Sequence, residues 1–201
     1  FSLYNFNPDI TAVPDAERIS ALLSFTQSLT NNLDFFSELQ IGQLTTENQL
    51  PATPFGEFIP STQAFNTFGQ DVVAIWRLDD IGKRKFSVET DVQRLVAGIN
   101  GVAGDWDWDA AVNLARSKTV ENGKNFVLTQ ALGDALNNDT YNPFDITSNS
   151  AAVLDPIRTD IKRTGISELA GIDAKASTEI TQFENGPVAL AIGIDRRYES
   201  M

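Results

Sequence analysis

The chain has 201 residues, 42% of them apolar, with a net charge of −12 and a pI near 4.3. That is enough apolar content for one ordinary domain, and the acidic balance argues against a nucleic-acid partner, which needs a basic face. Cysteine and histidine are both absent, so disulfides, thiolate chemistry, imidazole catalysis and His- or Cys-ligated metals are excluded.

Residues 1–16 read as the tail of a preceding loop, with Asn7-Pro8-Asp9 and Val13-Pro14-Asp15 as turn formers. Neither a basic-then-apolar leader nor a run of roughly 18 apolar residues occurs, and the chain opens on Phe1 and reads as a piece of something longer. A hairpin is expected over 18–44 around Thr30-Asn31-Asn32. Its first strand sets Ile19, Ala21, Leu23 and Phe25 against Arg18, Ser20, Leu22, Ser24, Thr26 and Ser28. Its return strand alternates less cleanly, setting Leu33, Phe35, Leu39 and Ile41 against Asn32, Asp34, Glu38 and Gln40. A period of two sends successive side chains to opposite faces of a sheet.

Residues 45–70, with Pro51, Pro54 and Pro60, read as a long ordered loop. Residues 71–79 and 85–92 flank Asp80-Ile81-Gly82-Lys83 and suggest a local hairpin on the long-loop side, a ribbon above a barrel rim. A second main hairpin is expected over 91–117 around Gly104-Asp105, with Trp106, Trp108, Ala110, Val112 and Leu114 opposing Asp105, Asp107, Asp109 and Asn113.

Within 118–169, Phe126, Leu128, Ala131, Leu132, Ala135 and Leu136 recur at helical spacing, and Tyr141-Asn142-Pro143-Phe144-Asp145 stops that helix. A second short helix is expected from Asp155-Pro156 to about Arg163, with Asp155 as its cap. The third hairpin spans 170–198 around Glu184-Asn185-Gly186. It sets Ile172, Ala174, Ala176 and Ile180 against Asp173, Lys175, Ser177 and Glu179, then Val188, Leu190, Ile192 and Ile194 against Ala189, Ala191, Gly193, Asp195 and Arg197.

The fold expected is mainly β: an antiparallel meander of about six main strands, a partial transmembrane β-barrel, with long loops containing short helices. Short turns at one end and long loops at the other are the organisation of an outer-membrane barrel. Several stretches, in this order, resemble the barrel of a TonB-dependent outer-membrane receptor. They are Gln93-Arg94-Leu95-Val96-Ala97-Gly98-Ile99-Asn100-Gly101, the turn Gly104-Asp105-Trp106-Asp107-Trp108-Asp109, Asn142-Pro143-Phe144, and the run from Gly186-Pro187-Val188 to Arg196-Arg197-Tyr198-Glu199.

The resemblance implies a barrel of about 22 strands, plugged by an N-terminal domain and driven by TonB. It imports scarce ligands such as siderophores, cobalamin or glycans. The chain carries neither a plug nor a TonB-contacting box, nor does it end in the usual aromatic residue. It is therefore expected to be an internal fragment, 1–201, of one barrel domain. Its implied place is the bacterial outer membrane, and its implied partners are outer-membrane lipid, TonB through the absent plug, and a small-molecule or glycan ligand.

No residue is singled out as catalytic, cofactor-binding or metal-binding, ligand-binding residues are not assignable, and no enzyme activity or cofactor is expected. Trp106 and Trp108 beside a tight turn fit an aromatic girdle at the periplasmic interface, against core aromatics of a soluble sandwich. Asp105, Asp107 and Asp109 lack the Gly and distal Glu of a calcium loop and are read as solvated carboxylates of one wet face. Arg94, Arg116, Arg196 and Arg197 are read as lumenal ion pairs and rim anchors, with Arg196 on the apolar parity. The alternative is a soluble secreted β-rich carbohydrate-binding or adhesin module, burying its apolar face against a second sheet. A carboxylate-based glycosidase comes third.

Overall fold

In the computed structural model, Asn5 and residues 7–201 are described; of the expected leading loop, residues 1–4 and 6 lie outside the described residues. Eight strands are β1 (Asp15–Thr30), β2 (Leu33–Leu50), β3 (Pro54–Ile59), β4 (Val72–Arg77), β5 (Arg84–Ala103), β6 (Trp106–Val127), β7 (Arg158–Phe183) and β8 (Gly186–Ser200). Two helices, α1 (Thr129–Asn137) and α2 (Ala151–Leu154), lie between β6 and β7. Strand accounts for 66% of the chain, which makes the class mainly β as expected.

Six strands form one antiparallel sheet in the order β1-β2-β5-β6-β7-β8, not closed into a barrel, and β3 and β4 form a second sheet. The three expected tight turns are present between β1 and β2, β5 and β6, and β7 and β8. Gly104 and Gly186 hold positive φ (65° and 135°) there, a conformation that disfavours side chains. Two long excursions join β2 to β5 and β6 to β7. The chain divides into two compact units.

The strand unit comprises Glu17–Thr45, Glu89–Val120 and Thr164–Met201. None of its residues is fully buried. Its strands alternate as the sequence does, but neither face is covered. Close packing occurs across strands instead. A Cβ on Gly98 would stand 2.5 Å from the Ala110 carbonyl and 2.5 Å from the Phe36 ring, so β5 is narrowed there to admit that ring.

The excursion unit comprises Phe1–Ala16, Thr46–Val88 and Glu121–Arg163, and it contains the buried core. Ile59, Leu78, Ile81, Leu132, Leu136, Tyr141, Leu154 and Ile157 form one cluster. Three expectations are corrected in this unit. First, 45–70 is not a loop throughout: β2 continues to Leu50, and Pro54–Ile59 is a strand. Pro54 occupies the first position of an edge strand, where a missing N–H costs nothing, and Pro51 and Pro60 lie outside β3.

Second, the hairpin of 71–79 with 85–92 does not form. β4 pairs antiparallel with β3, Phe55 opposite Trp76 and Ile59 opposite Val72, while 85–92 belongs to β5 beside β2. The Ile81-Gly82 turn does exist, both amides donating to the Leu78 carbonyl. It redirects the chain without pairing its flanks.

Third, Asp155-Pro156 does not start a helix. Asp155 ends α2, its amide donating to the Ala151 carbonyl at 2.8 Å, and β7 begins at Arg158. The β-branched Thr159, Ile161, Thr164 and Ile166 favour extended backbone over helix. The first expected helix forms, but only over Thr129–Asn137. Phe126 is still strand, its ring edge-on to Phe86 at 5.4 Å, and Leu128 is the residue before the first turn. Leu132 and Leu136 are the buried pair one turn apart.

Candidate functional site

The β7–β8 register fixes which residues share a face. Ala170 faces Tyr198, Ile172 faces Arg196, Ala174 faces Ile194, Ala176 faces Ile192 and Thr178 faces Leu190. The alternate set pairs Gly171 with Arg197, Asp173 with Asp195, Lys175 with Gly193 and Ser177 with Ala191. One side is thus apolar and the other polar, as alternation requires.

Contacts carry the same division across the sheet. On the apolar side the Phe25 and Phe35 rings lie 6.2 Å apart between β1 and β2, and Trp108 on β6 lies along Gly101 on β5. On the polar side Thr90 bonds Thr119 at 3.1 Å, Arg94 donates to Asn113 at 3.4 Å, and Lys175 pairs with Asp109 at 3.2 Å.

The apolar side is open to its surroundings. Leu23 is 66% exposed, Ile192 57% and Ile194 74%, and Ile19, Phe25, Leu39, Ile41, Val112, Leu114, Ile172 and Leu190 are exposed too. Soluble proteins seldom leave so continuous an apolar surface uncovered. Its edges are defined by charge and amide groups on the same parity. Arg116 pairs with Glu168 at 3.3 Å where the bands of β6 and β7 end, and Gln43 donates to Glu89 and Asp91, each at 3.1 Å, beyond those of β2 and β5.

Along the strands the apolar parity runs over 19–29 with Gln27 as a break, 33–41 with Ser37 as a break, 95–103, 106–114, 170–176 and 188–194. Most of these stretches match the about 9–11 residues of a strand crossing a bilayer at a tilt near 45°. Ten residue steps, as in 19–29, make about 34 Å of strand and about 24 Å of depth at that tilt, close to the about 25 Å of a barrel's apolar band.

The residues singled out from sequence fall as follows. Trp106 and Trp108 are half-buried at the turn end of the apolar side. Asp107 and Asp109, with Asn32, Asp34, Asn100 and Lys175, line a cleft of about 390 Å³ that Val102, Trp108 and Ala176 also line. The Asp105 carbonyl accepts from the Thr178 hydroxyl at 2.7 Å. Among the described residues no cluster of three or more His, Cys, Asp or Glu could hold a metal ion.

Arg94 is on the polar side, whereas Arg116 shares the apolar parity and sits at the band edge. Arg196 faces Ile172, and Arg197, on the same face as Asp195, reaches Glu199 at 3.8 Å. The cross-strand Arg116–Glu168 contact was not anticipated, although the break in apolar parity at both positions signals it. No helix among the described residues is long and apolar enough to cross a membrane, which says nothing of strands.

Within the excursion unit a polar network ties the two excursions together. The Trp76 indole N–H donates to the Tyr141 hydroxyl at 3.3 Å, which donates to Asp80 at 3.3 Å, and Asn149 donates to the other Asp80 oxygen at 3.0 Å. Arg158 donates to the Asp80 and Ile81 carbonyls. Burial, and secondarily the nearby Asp80 charge, pushes the Tyr141 phenol well above its ordinary range. Asn142 accepts from the amides of Phe144 and Asp145, which makes Asn142-Pro143-Phe144 a side-chain-closed turn.

Comparison with family models, with curated proteins and with solved structures gives no match for this chain.

Proposed function

We propose that this chain is a segment of the barrel wall, with two long outward loops, of a TonB-dependent transporter in the bacterial outer membrane. In this role the apolar side of the sheet faces lipid and the polar side lines the lumen, while the two excursions fold together outside the membrane and take part in capturing the ligand. The observation that carries the proposal is the exposed apolar band, which recurs on all six strands, on most of them at near membrane-spanning length, and is edged by charge. In water such a surface is a liability; against acyl chains it is the stable arrangement. The ligand class remains that of the resemblance: a siderophore, a cobalamin or a glycan, brought in through movement of a plug outside this segment.

The absence of cysteine makes a direct test simple. Single cysteines placed in turn at positions 188–195 of β8, in the chain refolded into phospholipid vesicles, are labelled with a water-soluble maleimide. Protection at Val188, Leu190, Ile192 and Ile194, with labelling at Ala189, Ala191, Gly193 and Asp195, is expected. Uniform labelling along the strand sinks the proposal and favours the alternative, a soluble β-rich carbohydrate-binding or adhesin module.

A further inference from the structure

A cleft of about 610 Å³ in the excursion unit lies where β2, β5 and β6 run beside the segment leading into β1. Its wall is pinned. The Thr11 amide donates to the Gln49 carbonyl at 3.0 Å, the Gln49 amide to the Thr11 hydroxyl at 2.9 Å, and the Gln49 side chain to the Asp9 carbonyl at 3.3 Å. Lys83 forms an ion pair with Asp9 close by.

Lys85 on β5 and Lys124 on β6 both line this cleft. The strands that carry them are neighbours in the sheet, tied there by the bond from the Asn125 side chain to the Lys83 carbonyl at 2.7 Å and by the edge-to-face Phe86 and Phe126 rings. Among the described residues neither lysine forms an ion pair, in a chain of net charge −12. Two ammonium groups lining one cleft repel each other, and an anion seated between them removes that repulsion through charge-assisted hydrogen bonds. Asp15 and Glu47 line the same cleft; they repel a second anionic group but accept hydrogen bonds from hydroxyls, and Ser87 and Asn122 add neutral partners.

From this arrangement we propose that the cleft binds a phosphorylated sugar, its phosphate between Lys85 and Lys124 and its hydroxyls on Asp15 and Glu47. The volume falls within the range of small-molecule sites. The site uses residues of the excursion unit alone and stands whether or not the apolar band faces lipid.

The test is calorimetric titration of the full chain with glucose 1-phosphate, glucose and inorganic phosphate. Glucose 1-phosphate is expected to bind at least tenfold more tightly than either of its parts. The double variant Lys85→Gln/Lys124→Gln is expected to lose at least tenfold in that affinity. Lys162→Gln, an exposed lysine outside the cleft, is expected to change nothing. Matching circular dichroism of the variants establishes that loss of binding is not loss of fold.

A second arm distinguishes the source of the phosphosugar. Co-sedimentation with phosphatidylcholine vesicles only when they contain phosphatidylinositol, abolished in the double variant, assigns a lipid-borne headgroup. Binding confined to the free compound assigns a soluble one. Absence of binding in both arms, or binding that survives the double substitution, overturns the proposal.

Discussion

Replacing Tyr141 by Phe is the sharpest probe of how the two excursions are joined. The Tyr141 side chain is fully buried, its ring stacked on Trp76 with centroids 6.4 Å apart, and its hydroxyl bridges Trp76 and Asp80. Phe keeps the ring and its apolar burial, so the loss is confined to that hydroxyl. Both bonds measure 3.3 Å, longer than the usual N–H···O distance for the first and the usual O–H···O distance for the second, which places each toward the weak end of its range.

Removing them leaves the Trp76 N–H and one Asp80 oxygen without that partner, while the other Asp80 oxygen keeps Asn149. A cost of about 1.5–2.5 kcal/mol follows, of which the bond to a carboxylate is the larger part. The substitution also changes the pH dependence. Because the folded-state phenol is raised, the folded form holds its proton more tightly than the unfolded one, whose phenol titrates near about 10. The associated stability is complete below about pH 10 and is lost as pH rises toward the folded value. Tyr141→Phe removes that alkaline limb.

The assay is urea unfolding followed by tryptophan fluorescence at pH 7 and at a series of pH values above 9, with hydrogen exchange reporting each excursion separately. Loss of protection is expected in both 72–82 and 129–157 together. A variant within about 0.5 kcal/mol of the parent at pH 7, or loss confined to one excursion, refutes the idea that this hydroxyl couples them.

In the strand unit, Gly98→Ala sets a methyl 2.5 Å from the Ala110 carbonyl and 2.9 Å from the Ala111 methyl, and neither can turn aside. A destabilisation of about 1–3 kcal/mol is expected by denaturant titration, with Phe36→Leu in the same chain recovering only the portion due to the ring. On the exposed band, Ile192→Lys is expected to cost about 2–4 kcal/mol in vesicles, against less than about 1 kcal/mol for Ala191→Lys on the opposite parity. Equal costs at the two positions would count against the lipid-facing band.

The sequence by itself determined the three tight hairpins, the parity of their strands and the mainly β class. These are properties of neighbouring residues. Asn and Gly at 31–32, 104 and 185–186 set the turns, and alternation of apolar and polar side chains sets the faces, with no long-range contact needed. The apolar band followed from the same alternation.

Only the tertiary structure decided what the excursions do. Pro54-Phe55-Gly56-Glu57-Phe58-Ile59 becomes a strand because Val72–Arg77 lies opposite it and because Leu132, Leu136, Tyr141 and Ile157, more than 50 residues later, cover its inner face. No local pattern encodes that partner. The stretch after Asp155-Pro156 carries both a helix-start signal and a β-branched alternation, and the alternation wins because β7 extends a ladder already begun by β6. The Lys85–Lys124 cleft was equally illegible: its residues come from four separate stretches of sequence, and only strand pairing brings them to one cleft.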